Sequence, residues 1–568
     1  MILDLRQNVC LNPEVFDTLK KISFSKGGDF NQLIGEISEI LFDKLDWCVE
    51  LPASRNTMQS PLFYHFCCIH LIIELMHSGT TIKKVIVDSS ELSKLIKKLK
   101  EKEGHRFEID GPDYELPSFK YYIWKSLGSI SEMWKKKRLQ FKAAMKTKNL
   151  ATDPPRSDLT LIDQFVFPNF ITKERYYNGL WDKLSQEQKQ ITYFVPTLVM
   201  MRDDEFESVY NKLRTSERNF LIKEDYLTFS DLLFSLLHLF RVWFIKPPSK
   251  EVMGFNFSPL IREELLSNGV NESALEGLLN YRFAKRLKEK SFNLSLVIDW
   301  WEGQPLDKGW NLGFHTYFPD TLRKGYIGYA PRAMELQLRP SESEIQYGVA
   351  PATIATIGEK FSCEMNYTDQ PFRTETAPAF RFGHLWDNGV ASKNSFEDYR
   401  ILMALTTMVD ESVNILEQVI DSELVENKEL KFILKPHPTV QLDILKNCLG
   451  DKWSPRIQEG GNTTPEEIRK SDLLITGMSS VGLEAVVMGV PVIVVETLSG
   501  LAHDPIPESV PNELWRSCRS PEEISEAVDA FMNRSVEEVR EHQELSASIK
   551  NDYFEPVTRK GVQRFLKL

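Results

Sequence analysis

The stretch SDLLITGMSSVGLEAVVMGVPVIVVE (471–496) decides the fold class. A short aliphatic run, DLLIT, ends in Gly477-Met478-Ser479-Ser480. A helical stretch, VGLEAVVMG, follows, and PVIVVE is a second aliphatic run. Strand, turn, helix, strand is the repeating unit of an open parallel sheet. In such a sheet ligands meet the chain at the carboxyl ends of the strands, where the helix N-terminus offers free N–H groups. Gly477 permits close backbone approach, and Ser479 and Ser480 add two hydroxyls. An ordinary helix cap accounts for one serine, but a capping box needs its acid three residues on, and Glu484 lies four after Ser480.

Upstream, KFILKPHP (431–438) places Lys435, Pro436, His437 and Pro438 directly after another aliphatic run. The prolines restrict φ, so His437 is held in place with a nitrogen able to donate to a phosphate oxygen. Further runs at 353–358 and 400–406 extend this second doubly wound unit. Earlier runs at 46–56, 83–90, 106–110, 191–200 and 293–300 alternate with helical stretches and predict a first one. The expected architecture is α/β, with two Rossmann-like domains and a cleft between them. The expected spans are 1–340 and 341–520, with a charged helical segment over 521–568. The last of the early runs ends in DWWEGQPLDKGWNLGF (299–314). There Asp299, Glu302 and Asp307 lie among three tryptophans, a mixture suited to stacking on sugars and to proton transfer. The bland reading of that loop is an aromatic hinge with solvated acids.

The pair of KPHP and, about forty residues later, a strand–SS–helix ending GLEAVVMGVPVIV resembles the C-terminal domain of GT-B glycosyltransferases. The likeness is to bacterial enzymes that use CMP-activated acidic sugars: sialyltransferases, polysialyltransferases and Kdo transferases. It covers mainly residues 350–500. It implies that Lys435, His437, Pro438, Gly477, Ser479 and Ser480 hold the donor phosphate, and that a carboxylate between the motifs, Glu459, with Glu466 and Glu467 as competitors, holds the ribose. WEGQxxDKG also resembles the E-x-Q motif of surface-carbohydrate biosynthesis proteins, with Glu302, or else Asp299, as general base. Trp301 stands where those transferases carry a second acid. The implied activity is metal-independent transfer of sialic acid, another nonulosonate or Kdo to a glycan or lipid-linked glycan in capsule or lipopolysaccharide synthesis. The nucleotide sugar is then a substrate, and no cofactor is needed. The alternatives are a CDP-glycerol-type phosphotransferase, another nucleotide-sugar enzyme on this fold, and a non-catalytic carbohydrate-binding subunit.

Composition agrees with a globular chain. Of 568 residues, 42% are hydrophobic and 26% charged, and the net charge of −12 argues against nucleic acid as partner. Seven cysteines without a C-x-x-C pair suggest a reducing compartment, and MILDLRQNVC lacks the apolar core of a signal peptide, so a cytoplasmic location is expected. Ser54, Arg55 and Asn56, in LPASRN (51–56), are candidates for holding an anionic acceptor or a phosphate, or else form an ordinary helix entry, and Trp301 and Gln304 are further candidates for acceptor binding. The basic run WKKKRLQFKAAMKTK (134–148) suits contact with anionic lipid at the inner membrane face or with an acidic polysaccharide, though more often such a run is a solvated helix face. Asp203-Asp204 is a weak acidic pair for a metal.

Overall fold

Short aliphatic runs become parallel strands here because the crossover after each one, a helix in most cases, returns the chain to the same end of the sheet. The computed structural model describes all residues except 151–153, 157, 169–170, 172–173, 268–270, 367–371 and 388–398. A three-stranded parallel sheet opens the fold: β1 (Ile2–Asp4), β2 (Lys84–Ile86) and β3 (Glu108–Asp110), in that order. Its core joins Leu3 and Val85 to Phe16 and Phe30 of helix Pro13–Leu41 and Phe63 of helix Leu62–His77.

The second sheet has six parallel strands. Its first two are β4 (Leu159–Val166) and β5 (Thr192–Leu198). A small antiparallel pair, β6 (Glu251–Val252) and β7 (Phe255–Asn256), stands apart. The sheet resumes with β8 (Leu294–Trp300), β9 (Leu322–Ile327), β10 (Thr353–Thr356) and β11 (Arg373–Thr376), in the order β11-β10-β9-β8-β4-β5. The third sheet comprises β12 (Tyr399–Ala404), β13 (Leu430–Lys435), β14 (Ile457–Glu459), β15 (Leu473–Thr476), β16 (Val492–Val495) and β17 (Trp515–Cys518). Its order, β14-β13-β12-β15-β16-β17, reverses between β12 and β15, the position where Rossmann-like sheets open a crevice for ligands.

The carboxyl ends of the two large sheets face each other. Arg332, after β9, donates from Nη1 to the carbonyl of Met478, after β15, at 3.2 Å. One apolar cluster runs through both units, with Trp300, Tyr326 and Ile357 on one side and Leu402, Leu474 and Val494 on the other. This is the GT-B layout expected from the sequence.

Three expectations are corrected. The run at 353–358 belongs to the second sheet and not the third: β10 pairs with β9 (Thr353 beside Lys324), and β11 lies outside it. The changeover therefore falls between Thr376 and Tyr399 rather than at 340. The aperiodic stretch before β10 is a loop folded over the sheet's carboxyl end, where Met334, Leu336 and Leu338 are buried. Second, 521–568 is no separate segment. Helix Pro521–Met532 packs its Ile524 and Val528 into the third sheet's core. Helix Arg559–Leu566 returns to the second sheet, where Lys324 Nζ donates to the Phe565 carbonyl at 2.5 Å. Third, 46–56 holds two helical turns, Leu45–Cys48 and Leu51–Ser54, because Pro52 in the first turn presets a helical φ. Among the described residues no helix is long and apolar enough to cross a membrane.

Candidate active site

Glu302 sits on the turn between β8 and helix Pro305–Tyr317. Asp307 organises this turn by helix-cap chemistry: its Oδ2 accepts the N–H groups of Glu302 and Gln304, each at 2.9 Å. Gly303 adopts φ +67°, and a Cβ there would lie 2.3 Å from the Gln337 carbonyl oxygen, so the loop requires glycine. The E-x-Q spacing now has a physical meaning. Trp300 Nε1 donates to Glu302 Oε1 and Gln304 Nε2 donates to Oε2, both at 2.9 Å, so the carboxylate is clamped from two sides. Gln304 thus positions Glu302, where direct acceptor binding was expected. Burial raises the Glu302 pKa above the usual carboxylate value. The two hydrogen bonds and the charge of Arg381 pull against that rise, and Glu335 adds to it. Glu302 is only half-buried and stays within reach of a ligand.

Asp299 is not. It is 1% exposed, its Oδ2 accepts from Asn311 Nδ2 at 2.5 Å, and burial with the neighbouring Asp307 and Asp163 keeps its pKa far above normal. Trp301 is likewise sealed, packed with Ile327, Leu338 and Ile354, so it offers no face to a sugar.

Ser54, Arg55 and Asn56 are all buried and serve the fold. Ser54 Oγ donates to the Leu51 carbonyl, and Asn56 Oδ1 accepts from the backbone of Met58 and Gln59. Arg55 donates to Glu344 at 2.5 Å, and Lys308 binds the other carboxylate oxygen. Burial opposes ionisation of Glu344, but the two cations outweigh it and lower its pKa to about 2. Arg55→Ala should therefore destabilise the protein by about 3–5 kcal/mol, as when one partner of a buried pair is removed. Because the Glu344 pKa is depressed, that contribution is complete above its unfolded value of about 4.3 and fades as pH falls towards about 2. Urea unfolding checks this, and an unchanged midpoint would reject it.

Across the cleft, KPHP follows β13 as expected. His437 Nδ1 accepts the Thr439 N–H at 3.3 Å and lies 2.7 Å from Thr439 Oγ1. A backbone N–H can only donate, so the neutral ring carries its hydrogen on Nε2, free for a ligand. Burial and the positive charge of Arg175 lower the His437 pKa. Lys435 Nζ donates to the Gly460 carbonyl and ties this loop to the next one, while Pro438 is exposed. Glu459 ends the edge strand β14 with an exposed side chain. Its two competitors are engaged elsewhere. Glu467 is buried against Arg400 and Asn462, and Glu466 caps its helix through Thr463.

The TGMSS turn departs from the simple anion cradle. Glu411, unremarked in the sequence, accepts the Met478 N–H at 2.6 Å, and a Cβ on Gly477 would lie 2.4 Å from its Oε1. Gly477 thus makes room for a carboxylate of the protein's own. Ser479 Oγ accepts weakly from Val481 N–H at 3.4 Å, and Ser480 makes no side-chain cap. At the strand-order reversal beside this turn lies a cavity of about 220 Å³, bordered by Glu411, Asn414, Met478, Thr497 and His503.

Two arginines escaped the sequence reading. Arg175 acts on His437 and on the Arg381 side of the cleft. Arg381 lies 5.7 Å from the Tyr176 ring and 6.0 Å from that of Trp300. Neither follows a strand in a recognisable motif, so only the folded chain brings them to Glu302 and His437.

No protein-family model and no curated protein matches this chain. Solved structures similar to it in layout include the S. aureus MnaA–UDP co-structure, at 11% identity and TM-score 0.42, covering 72% of this chain and 95% of that one. The glycosyltransferase SnogD from Streptomyces nogalater follows at 10% and 0.39, covering 72% and 99%. The calicheamicin glycosyltransferase CalG4 stands at 13% and 0.37, covering 70% and 95%.

Proposed function

We propose that the chain is a sugar transferase acting on a CMP-activated acidic ulosonic sugar, sialic acid or a relative, or Kdo. The observation that carries this reading is a clamped, half-buried carboxylate, Glu302, on one sheet, with a tautomer-fixed imidazole, His437, on the sheet facing it. Glu302 takes the proton of an acceptor hydroxyl as its oxygen bonds to the anomeric carbon of the donor. The bond from that carbon to the phosphate oxygen breaks, and CMP leaves with the electron pair. The His437 Nε2–H, the hydroxyls of Ser479 and Ser480 and the charge of Arg175 then stabilise the phosphate. Arg381, which has no ion-pair partner among the described residues, supplies positive charge beside Glu302 for an acidic sugar.

Release of nucleotide from CMP-, CDP- and UDP-linked donors tests the reading. Turnover of the CMP-sugar alone is expected. Turnover of CDP-glycerol instead would establish the phosphotransferase alternative, and CMP binding without any turnover the non-catalytic one.

Membrane contact, if the acceptor is lipid-linked, moves to a different segment. The basic run at 134–148 is largely consumed by ion pairs: Lys135 with Asp203, Lys136 with Glu272, Lys137 with Glu276 and Lys146 with Glu207. The start of the same helix instead exposes Phe119, Tyr121, Trp124 and Leu127, with Phe244 6.4 Å from the Phe119 ring and Lys120 and Lys125 among them. That mixture suits a lipid interface. Trp124→Ser with Phe244→Ser should abolish co-sedimentation with anionic vesicles, and undiminished binding would reject this face.

A further inference from the structure

Beside the Glu302 loop the two large units enclose a second cavity, of about 560 Å³. Pockets for small organic ligands span about 300–1,000 Å³. One wall is the 331–339 loop after β9 with helix Glu359–Asn366 after β10, and the other is the 504–509 loop after β16. The cavity therefore opens at the carboxyl ends of strands from both sheets. Arg332 links it to the reaction site, since it lines the cavity and also holds the Met478 carbonyl. Its ion partner Glu335 raises the pKa of Glu302.

The apolar part of the wall is offered by the partly exposed Phe24, Pro331 and Pro507, with Leu338, Phe361, Met365 and Ile506 buried around them. Most of the acids there are engaged. Glu335 pairs with Arg332 and Asp504 with Lys20, while Glu364 accepts from Tyr553 and Ser509. Glu508 stands exposed at the rim. Arg339 is the exception. It is mostly buried, and burial lowers its pKa against the opposing charge of Glu364, yet its guanidinium forms no hydrogen bond or ion pair among the described residues. Arg55 also has unpartnered nitrogens, but those are sealed from solvent, and the nitrogens of Arg339 are not. An unpaired cation largely withdrawn from water is costly unless an anion joins it. A guanidinium matches a planar two-oxygen acid group best.

We infer that this cavity is the acceptor subsite and that Arg339 binds a carboxylate or phosphate borne by the acceptor, whose apolar part rests on Phe24 and Pro507. The role as acceptor subsite rests on the transferase reading; the anion site does not.

Ligand-observed NMR titration of the full chain decides it. The ligands are N-acetylneuraminic acid against its methyl ester, and glucose 6-phosphate against glucose. At least one acid should bind about ten- to a hundredfold more tightly than its uncharged partner, and whichever pair shows the gap identifies the acid group. Arg339→Gln should erase the gap with CMP affinity unchanged, and Arg339→Lys should keep part of it. Equal binding of acid and neutral partner in both pairs, or a gap that survives Arg339→Gln, overturns the inference. Should Arg339→Gln fail to fold, the wild-type comparison and Arg339→Lys still decide. If CMP does not bind while the gap holds, the donor reading fails and the anion site stands.

Discussion

Glu302→Gln is expected to lower turnover by about two to four orders of magnitude, the usual contribution of a general base, with CMP binding intact. Glutamine keeps the size of the side chain and can still accept from Trp300 Nε1, so the loop should hold its shape. Asp299→Asn provides the contrast. That acid is sealed from any ligand, and burial and its acidic neighbours raise its pKa and so disfavour its charged form, so a neutral isostere should change turnover little. The pH profile separates the two further. Only ionised Glu302 can accept a proton, and burial raises its pKa, so kcat/KM should fall as pH drops through a value above the ordinary carboxylate range. Gln304→Leu removes one of the two hydrogen bonds that hold this pKa down. The acid limb should therefore move to higher pH. An unmoved limb, or full turnover in Glu302→Gln, would remove Glu302 from the mechanism.

The elements most legible in the sequence were those with an unbroken aliphatic centre. KFILK, DLLIT and PVIVVE are strands whose aliphatic side chains are buried on both faces, and the loops that follow them lie at the cleft as expected. β9, LRKGYI, was missed because Arg323 and Lys324 look like solvent residues. Both are buried: Arg323 donates to the Gly348 and Ala350 carbonyls, and Lys324 reaches Phe565 from the far end of the chain. β4 carries Asp163 and Gln164 in its centre, and their partners Thr197, Glu174 and Arg218 are equally invisible from local pattern.

The site divides along the same line. Its motif residues stand next to strand ends, where sequence alone can find them. The partners that tune them come from other elements: Arg175 for His437, Glu411 for Gly477, and Arg381 for Glu302. The reading of Ser54, Arg55 and Asn56 failed for a related reason. An arginine beside a turn looks the same in sequence whether its counter-ion is a ligand or, as here, Glu344.

His437→Ala should reduce turnover about a hundred- to a thousandfold, the loss seen when one preorganised donor to a developing anion is removed. The structure specifies which form of the ring acts. Burial and Arg175 lower its pKa, so the imidazole is neutral at pH 7 and donates from Nε2. Activity should then show no decline through pH 6.5–8, where an ordinary imidazolium donor would lose its proton. Thr439 fixes the tautomer, because its N–H and hydroxyl occupy Nδ1. Thr439→Val keeps the backbone N–H but removes the hydroxyl, and should lower kcat about tenfold or less, with little change in donor KM. His437→Gln retains an N–H donor at similar reach and should recover part of what His437→Ala loses. If His437→Ala instead keeps full turnover with a CMP-sugar, or if activity falls away above pH 6.5 in step with an imidazole titration, the neutral-donor role is wrong.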